Sequence, residues 1–495
     1  MRSRNRLIFL IFCLTTMGVL FAQEIPEEEE TEEIAIEETA IEEIVIEEPA
    51  EEQPAKVALK IDLPLFDLPY QAHIMDSMGY GFFHTYGSLS MNQSVALTTS
   101  VYSSMHYGFK KLYDRLDLAP VWKNIIYYGG TAAGILGFAY VFPFGYPWMR
   151  YEFIRSILSR HGINSNNIYY DIIGMAGLGI TDDQLSYFKA ANPHDFIRMN
   201  ESRIEGYVLF SDLMIRRYFF YNLDDLSFVP ALINVLFFSG VTNNPVLLHK
   251  YNVVNVDSDS IKTYYENDKG QESRFFSGFD TVNWVYELFR PNEPYAARGL
   301  HPSGDGSVAR YITFAQLSGE ERDYLLKQSW LHYLNFVSPL LYGPFFGFNA
   351  IPLGKSGLEG NFALHHYFTS FGADIAASVF LKKKPFNMAF TLHNYMNYQN
   401  YFPAIEAELI DYPLNIGKLN LFLSPRVLVG MQPKGQVFKT ASPEFLGLFG
   451  LRVDFMAHRN IFPYIDFIVK TNGWVAGDEY LGVHASVRIG VSMRF

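Results

Sequence analysis

The last fifteen residues, LGVHASVRIGVSMRF (481–495), alternate without a break. Leu481, Val483, Ala485, Val487, Ile489, Val491, Met493 and Phe495 are apolar. Between them stand Gly482, His484, Ser486, Arg488, Gly490, Ser492 and Arg494. Successive side chains of a strand point to opposite faces, so this period predicts one long strand with an apolar face and a polar face. Strands of soluble sheets typically run about five or six residues. Crossing a tilted bilayer takes about nine to eleven.

The same period recurs from residue 359 onward. Phe371, Ala373, Ile375, Ala377, Val379 and Leu381 alternate with Gly372, Asp374, Ala376, Ser378, Phe380 and Lys382. Leu419 to Val429, Phe449 to Ala457 and Ile465 to Val469 follow suit, giving about eight segments over 356–495. Backbone groups in lipid must pair internally, which for strands requires closure. A transmembrane antiparallel β-barrel is therefore expected, lipid on one face and a polar interior on the other. The inward set is Asp374, Glu406, Glu408, Arg426, Arg452, Asp454, Asp466, Lys470, Arg488 and Arg494, of mixed sign. A barrel of about eight strands has room only for side chains, so these charges are expected to pair with one another and not to line an ion path. Tyr395, Tyr398, Tyr401, Phe402, Phe462, Tyr464, Trp474 and Tyr480 fall at strand ends, where an interfacial girdle is expected. Connections alternate between long (432–444, 471–479) and short (458–460).

The terminal VRIGVSMRF resembles the last strand of bacterial outer-membrane β-barrels over roughly the final 135 residues. That resemblance implies that Phe495 is the signal read by the barrel-assembly machinery, making that machinery and outer-membrane lipid partners of the chain. An envelope protein is a further expected partner.

The amino terminus agrees on compartment. Arg2, Arg4 and Arg6 precede the apolar run LIFLIFCLTTMGVLFA, so residues 1–22 read as a cleaved secretory signal peptide. Export to the outer membrane of a diderm bacterium is the expectation. Cys13 lies inside that segment, so the mature chain has no thiol chemistry. Residues 23–56 carry repeated Glu pairs (EEIAI, EETAI, EEIVI) and read as an acidic low-complexity tail. The formal charge of −13 is concentrated there, leaving the remainder nearly neutral and without a nucleic-acid footprint.

Residues 57–355 read as a mainly helical, periplasmic or membrane-associated domain. Val101, Met105, Phe109 and Leu112 fall at helical spacing. The stretch 125–145 is long enough and free enough of charge to cross a bilayer. Its five glycines, with Gly130 and Gly134 in GxxxG spacing, favour a helix buried in the domain or lying in the interface.

One segment resembles a degenerate helix of HExxH membrane metallopeptidases: PWMRYEFIRSILSRHGI, 147–163. The motif needs two His four apart around a Glu. Tyr151, Glu152 and Arg155 occupy those places, and the resemblance implies that Glu205 stands where a third acidic ligand would come. Both histidines are missing, so no metal and no catalytic residue is expected. The ordinary reading is an amphipathic helix with Glu152 and Arg155 paired across i, i+3. The run IPLGKSG lacks phosphate-loop spacing, and His365 and His366 point to opposite faces of a strand.

The chain is thus expected to anchor a helical domain at the envelope, in a structural or interaction role, with no cofactor, and the balance of the sequence leans away from an enzyme. Two alternatives stand beside it. A pore for small solutes would need extra strands from the region around 79–97, and a degenerate metallopeptidase-like protein would need the 147–163 helix and Glu205 to converge.

Overall fold

The computed structural model describes residues 59–78, 88–169 (except 120, 124, 128 and 131–144), 176–221, 280–301, 306–340 (except 311 and 313) and 350–495 (except 355 and 356). The expected signal peptide, acidic tail and most of 125–145 lie outside those residues. No described helix is long and apolar enough to cross a membrane.

Eleven strands form one antiparallel sheet. They are β1 (Lys60–Leu68), β4 (Ile351–Pro352), β5 (Glu359–Thr369), β6 (Gly372–Lys383), β7 (Phe386–Met396), β8 (Tyr401–Leu409), β9 (Tyr412–Ile416), β10 (Leu419–Pro433), β11 (Pro443–Phe455), β12 (Ile461–Lys470) and β13 (His484–Arg494). The order is β1-β13-β12-β11-β10-β8-β7-β6-β5-β4, with β9 continuing β8 along β10. Two short strands, β2 (Asn166–Tyr169) and β3 (Ala176–Gly179), make a separate hairpin. From β5 onward the strands follow the period-two pattern closely. Gly372 sits at φ 143° in the β5–β6 turn, where a Cβ would collide with the Met396 carbonyl.

β1 lies inside the stretch expected to be mainly helical. It pairs with β13 from Lys60↔Arg494 to Leu68↔Val487, and Leu59 and Phe495 exchange backbone hydrogen bonds of 3.0 and 2.9 Å. A bulge between Pro64 and Phe66 breaks its alternation, so the pattern does not read as a strand.

The helices are α1 (Tyr70–Met78), α2 (Met91–Asp114), α3 (Tyr146–Arg160), α4 (Asp182–Ala191), α5 (Pro193–Tyr221), α6 (Asp280–Phe289) and α7 (Gly319–Leu331). Capping boxes start three of them: Ser90 with Gln93, Thr181 with Gln184, and Ser318 with Glu321. The start of α2 at Met91 is helical, although it falls in the region that a widened pore would need as strand.

Helix α5 is the organising element. Arg217 reaches Asp62 on β1 at 2.9 Å, Arg216 reaches Glu408 on β8 at 2.7 Å, and Asp212 lies 3.1 Å from His365 on β5. One helix therefore touches the first strand of the sheet, its middle and its far side, and the sheet wraps around it. Among the described residues no ladder joins β1 to β4 or β5, so the sheet they form is not closed by hydrogen bonds.

Its two open edges are capped all the same. On β1, the Asp62 N–H donates to Ser100 Oγ, which donates back to the Asp62 carbonyl, both at 2.9 Å. On β5, the Leu364 N–H donates to the Val337 carbonyl and the His366 N–H to Asn335 Oδ1. Asn335 Nδ2 donates to the His366 carbonyl, Ser338 Oγ to that of Phe362, and Trp284 Nε1 to that of Thr369.

Candidate functional site: a charge network inside the sheet

Register places the inward charges in rows. Arg452 on β11 stands opposite Asp466 on β12, which stands opposite Arg488 on β13, which stands opposite Asp67 on β1. Signs alternate across the four strands, an arrangement favoured by cross-strand neighbours. Arg488 lies 3.1 Å from Asp67 and 3.6 Å from Asp466. Arg452 donates to both oxygens of Asp454 and to Asp62, each at 2.9 Å, and stacks 3.8 Å over the Tyr464 ring. Arg494 reaches Asp411 at 3.1 Å and Asp454 at 3.6 Å.

A second group sits on β6, β7, β8 and β10. Asp374 and His393 Nδ1 are 2.8 Å apart, Arg426 donates to Glu406 at 2.8 Å, and Glu408 receives Arg216. Asp374 is completely buried. Among the described residues Lys470 has no carboxylate within ion-pair distance. Its ammonium donates to the carbonyls of Gly473, Tyr480 and Gly482, and so holds the base of the β12–β13 loop. All ten inward candidates thus have polar partners. Those partners include residues outside the C-terminal alternation: Asp62 and Asp67 from β1 and Arg216 from α5, with Arg217 of α5 holding Asp62 in turn.

The β12–β13 connection folds into the molecule. Trp474 is 1% exposed, with its N–H on Gln432 Oε1 and its carbonyl accepting from Gln432 Nε2, both at 2.8 Å. Beyond it the Gly477 N–H donates to Glu205, and Arg160 donates to the Glu479 carbonyl. Tyr395, Phe402, Phe462, Tyr464 and Tyr480 are buried as well, leaving Tyr401 as the exposed member of the expected girdle. Tyr395, Phe402 and Trp474 pack in the core beside α5 instead, whereas Tyr480 joins Tyr70 and Ile74, and Phe462 and Tyr464 lie against Arg494 and Arg452. Glu201 and Glu205 are both fully buried on α5, one turn apart. Burial, then the neighbouring Glu205 charge, raises the Glu201 pKa well above the usual carboxylate range.

The segment with peptidase resemblance forms α3, which crosses α5 where the Phe153 ring packs on Gly206. Glu152 is buried, not solvated; it receives Arg155 at 2.5 Å and the Leu89 N–H at 3.1 Å. Arg155 also donates to the Ser165 carbonyl, and Tyr151 is buried beside Arg150. Glu205 is held by Arg198 at 2.8 Å and by the Gly477 N–H. The helices meet, but the two carboxylates serve different partners. Among the described residues no group of three or more His, Cys, Asp or Glu could hold a metal ion.

His365 and His366 do serve opposite faces. His365 faces Asp212 inside, whereas His366 meets Gln328 and the buried His332 outside, with the two Nδ1 atoms 3.2 Å apart. Burial pushes the His332 pKa down to about 3.

Comparison with known proteins finds no matching family model, no similar curated protein and no similar solved structure.

Proposed function

We propose that the chain is an outer-membrane β-barrel protein that wraps its own helix α5 and holds its helical part at the envelope. One observation carries this reading: the polarity of the sheet is inverted relative to a water-soluble one. Leu392, Ile405, Phe445, Phe449, Val469 and Val483 are each more than half exposed, whereas Asp374, Asp454, Lys470 and Arg488 are buried. Water would favour the opposite arrangement. Lipid outside and a paired polar network inside account for it.

The capped edges support the same reading. Lipid cannot solvate a bare strand edge, and Ser100, Asn335, Ser338 and Trp284 cover those of β1 and β5. The position of β13 adds an order of events. It lies between β12 and β1, so a machine that recognises the Phe495 strand must engage it before β1 docks.

The interior argues against the solute-pore alternative, because α5 and the Trp474 loop fill the space a channel would need. Separate partners for Glu152 and Glu205 argue against the peptidase alternative.

Gel mobility of the membrane fraction with and without boiling tests the proposal. The wild type should enrich in the outer membrane and shift on heating, and deletion of Phe495 should abolish both. A soluble protein, or an unshifted band, would sink it.

A further inference from the structure

Three successive turns at one end of the sheet share a composition. The β6–β7 turn carries Lys383 and Lys384 beside exposed Phe386, and the β9–β10 turn carries Lys418 between exposed Ile416 and Leu419. In the β11–β12 turn Arg459 lies between exposed Met456 and Ile461. The meander puts these turns on the same end as the Lys60↔Arg494 pair, since Leu421 faces Phe455 and Ile461 faces Met493. Residues 382–386, 416–419 and 455–461 contain no Asp or Glu. Lys383, Lys384, Lys418 and Arg459 are exposed, and among the described residues none lies within ion-pair distance of a carboxylate.

We infer that this rim seats against the headgroups of anionic phospholipid; the inference rests on the barrel reading above and names the lipid class that the barrel contacts. Two observations lead there together. The apolar residues of the turns continue the outward apolar face of the strands, so the lipid boundary reaches the turns themselves. At that depth the group that meets a lysine is a phosphate, and four unneutralised cations match an anionic layer and not a zwitterionic one. Lys and Arg side chains suit such a boundary, since their long stems can lie along apolar surface while the charged heads reach a phosphate.

The opposite end differs. Its β10–β11 connection has Lys434 and Lys439, but Glu444 accepts from the Gly435 N–H there and Lys439 pairs with Glu320. The β12–β13 connection adds Asp478 and Glu479, both buried.

The test uses the full chain, first shown to give the heat-shifted band, then analysed by native mass spectrometry with phosphatidylglycerol or phosphatidylcholine added. The wild type should retain phosphatidylglycerol in preference to phosphatidylcholine. A variant with Lys383→Gln, Lys384→Gln, Lys418→Gln and Arg459→Gln should retain about tenfold less phosphatidylglycerol, with phosphatidylcholine unchanged. The charge-keeping set Lys383→Arg, Lys384→Arg, Lys418→Arg and Arg459→Lys should behave as wild type, as should Lys434→Gln with Lys439→Gln. Undiminished phosphatidylglycerol on the four-Gln variant, or its loss from the far-end variant, overturns the rim while leaving the barrel intact. A chain that never gives the shifted band overturns the barrel reading and the rim with it.

Discussion

Arg452 touches Asp62, Asp454 and the Tyr464 ring at once, so its removal takes one cation from each of two buried carboxylates, leaving Asp62 to Arg217 and Asp454 to Arg494 at 3.6 Å. Breaking such a cluster from one side costs about 3–5 kcal/mol, whereas replacing all its charges by neutral groups costs far less. Arg452→Ala should therefore lower the temperature at which the folded band converts, and Arg452→Met with Asp454→Asn, which leaves Asp62 to Arg217 and Arg494 to Asp411, should recover part of the loss. Equal loss in both variants would show that the charges act independently. Glu479 offers a pH test, because it lies in a loop between strands. Burial, then the charges of Asp67 and Asp478, push its pKa up to about 8 against an ordinary 4.5, with Arg488 opposing. The unfolded chain loses this proton first as pH rises, so the fold loses stability between about pH 4.5 and 8 and levels off above that. Glu479→Gln removes this slope and should exceed the wild type at pH 8.5 by on the order of 1–3 kcal/mol in urea unfolding. Parallel pH profiles would discard the prediction. All ten inward charges could be named from alternation alone. Their partners Asp62 and Arg216 could not, because nothing local couples residue 62 to Arg452 or residue 216 to Glu408.

Strands with unbroken alternation, such as β6 and β13, are legible because an inward and an outward face demand different side chains at every step. β1 escapes that logic through its bulge, and its place beside β13 depends on contacts more than 400 residues away in sequence. The edge caps are equally silent, since Ser100 and Asn335 look like ordinary polar residues of helical segments. Removing either leaves a buried strand edge unpaired, at about 1–3 kcal/mol each. Ser100→Ala should loosen β1 and Asn335→Ala should loosen β5, each seen as faster amide exchange in that strand with the middle strands unchanged. Uniform exchange across the sheet would reject local capping. Close approach is testable at Gly430, where a Cβ would strike both the Cβ and Cα of Ala404 on β8. Gly430→Ala should reduce the yield of folded protein and destabilise what folds by about 1–3 kcal/mol, as overpacking does. Wild-type stability would mean that β8 and β10 can separate without cost.

The described part of residues 59–495 is a sheet wrapped on a helix, and the filled interior has a direct consequence. Planar bilayers containing the wild-type protein should stay silent, because α5 is pinned at both its halves: by Arg198 and Glu205 to the Trp474 loop, and by Asp212, Arg216 and Arg217 to three strands. Steady single-channel steps would contradict a filled interior and revive the pore. The long β12–β13 loop is part of that filling. It looks like an external loop by length, yet Lys470 and Gln432 tie its backbone inward.

What the sequence determined by itself is the alternation from β5 to β13, and with it the split between an apolar outer face and a charged inner one. That information is local, because strand geometry sends neighbouring side chains to opposite sides. Tertiary structure alone decided that β1 completes the sheet beside β13, that α5 sits within it, and that Trp474 and Tyr480 turn inward. Those outcomes depend on which buried charge finds which partner, and pairing across hundreds of residues leaves no periodic trace in the chain.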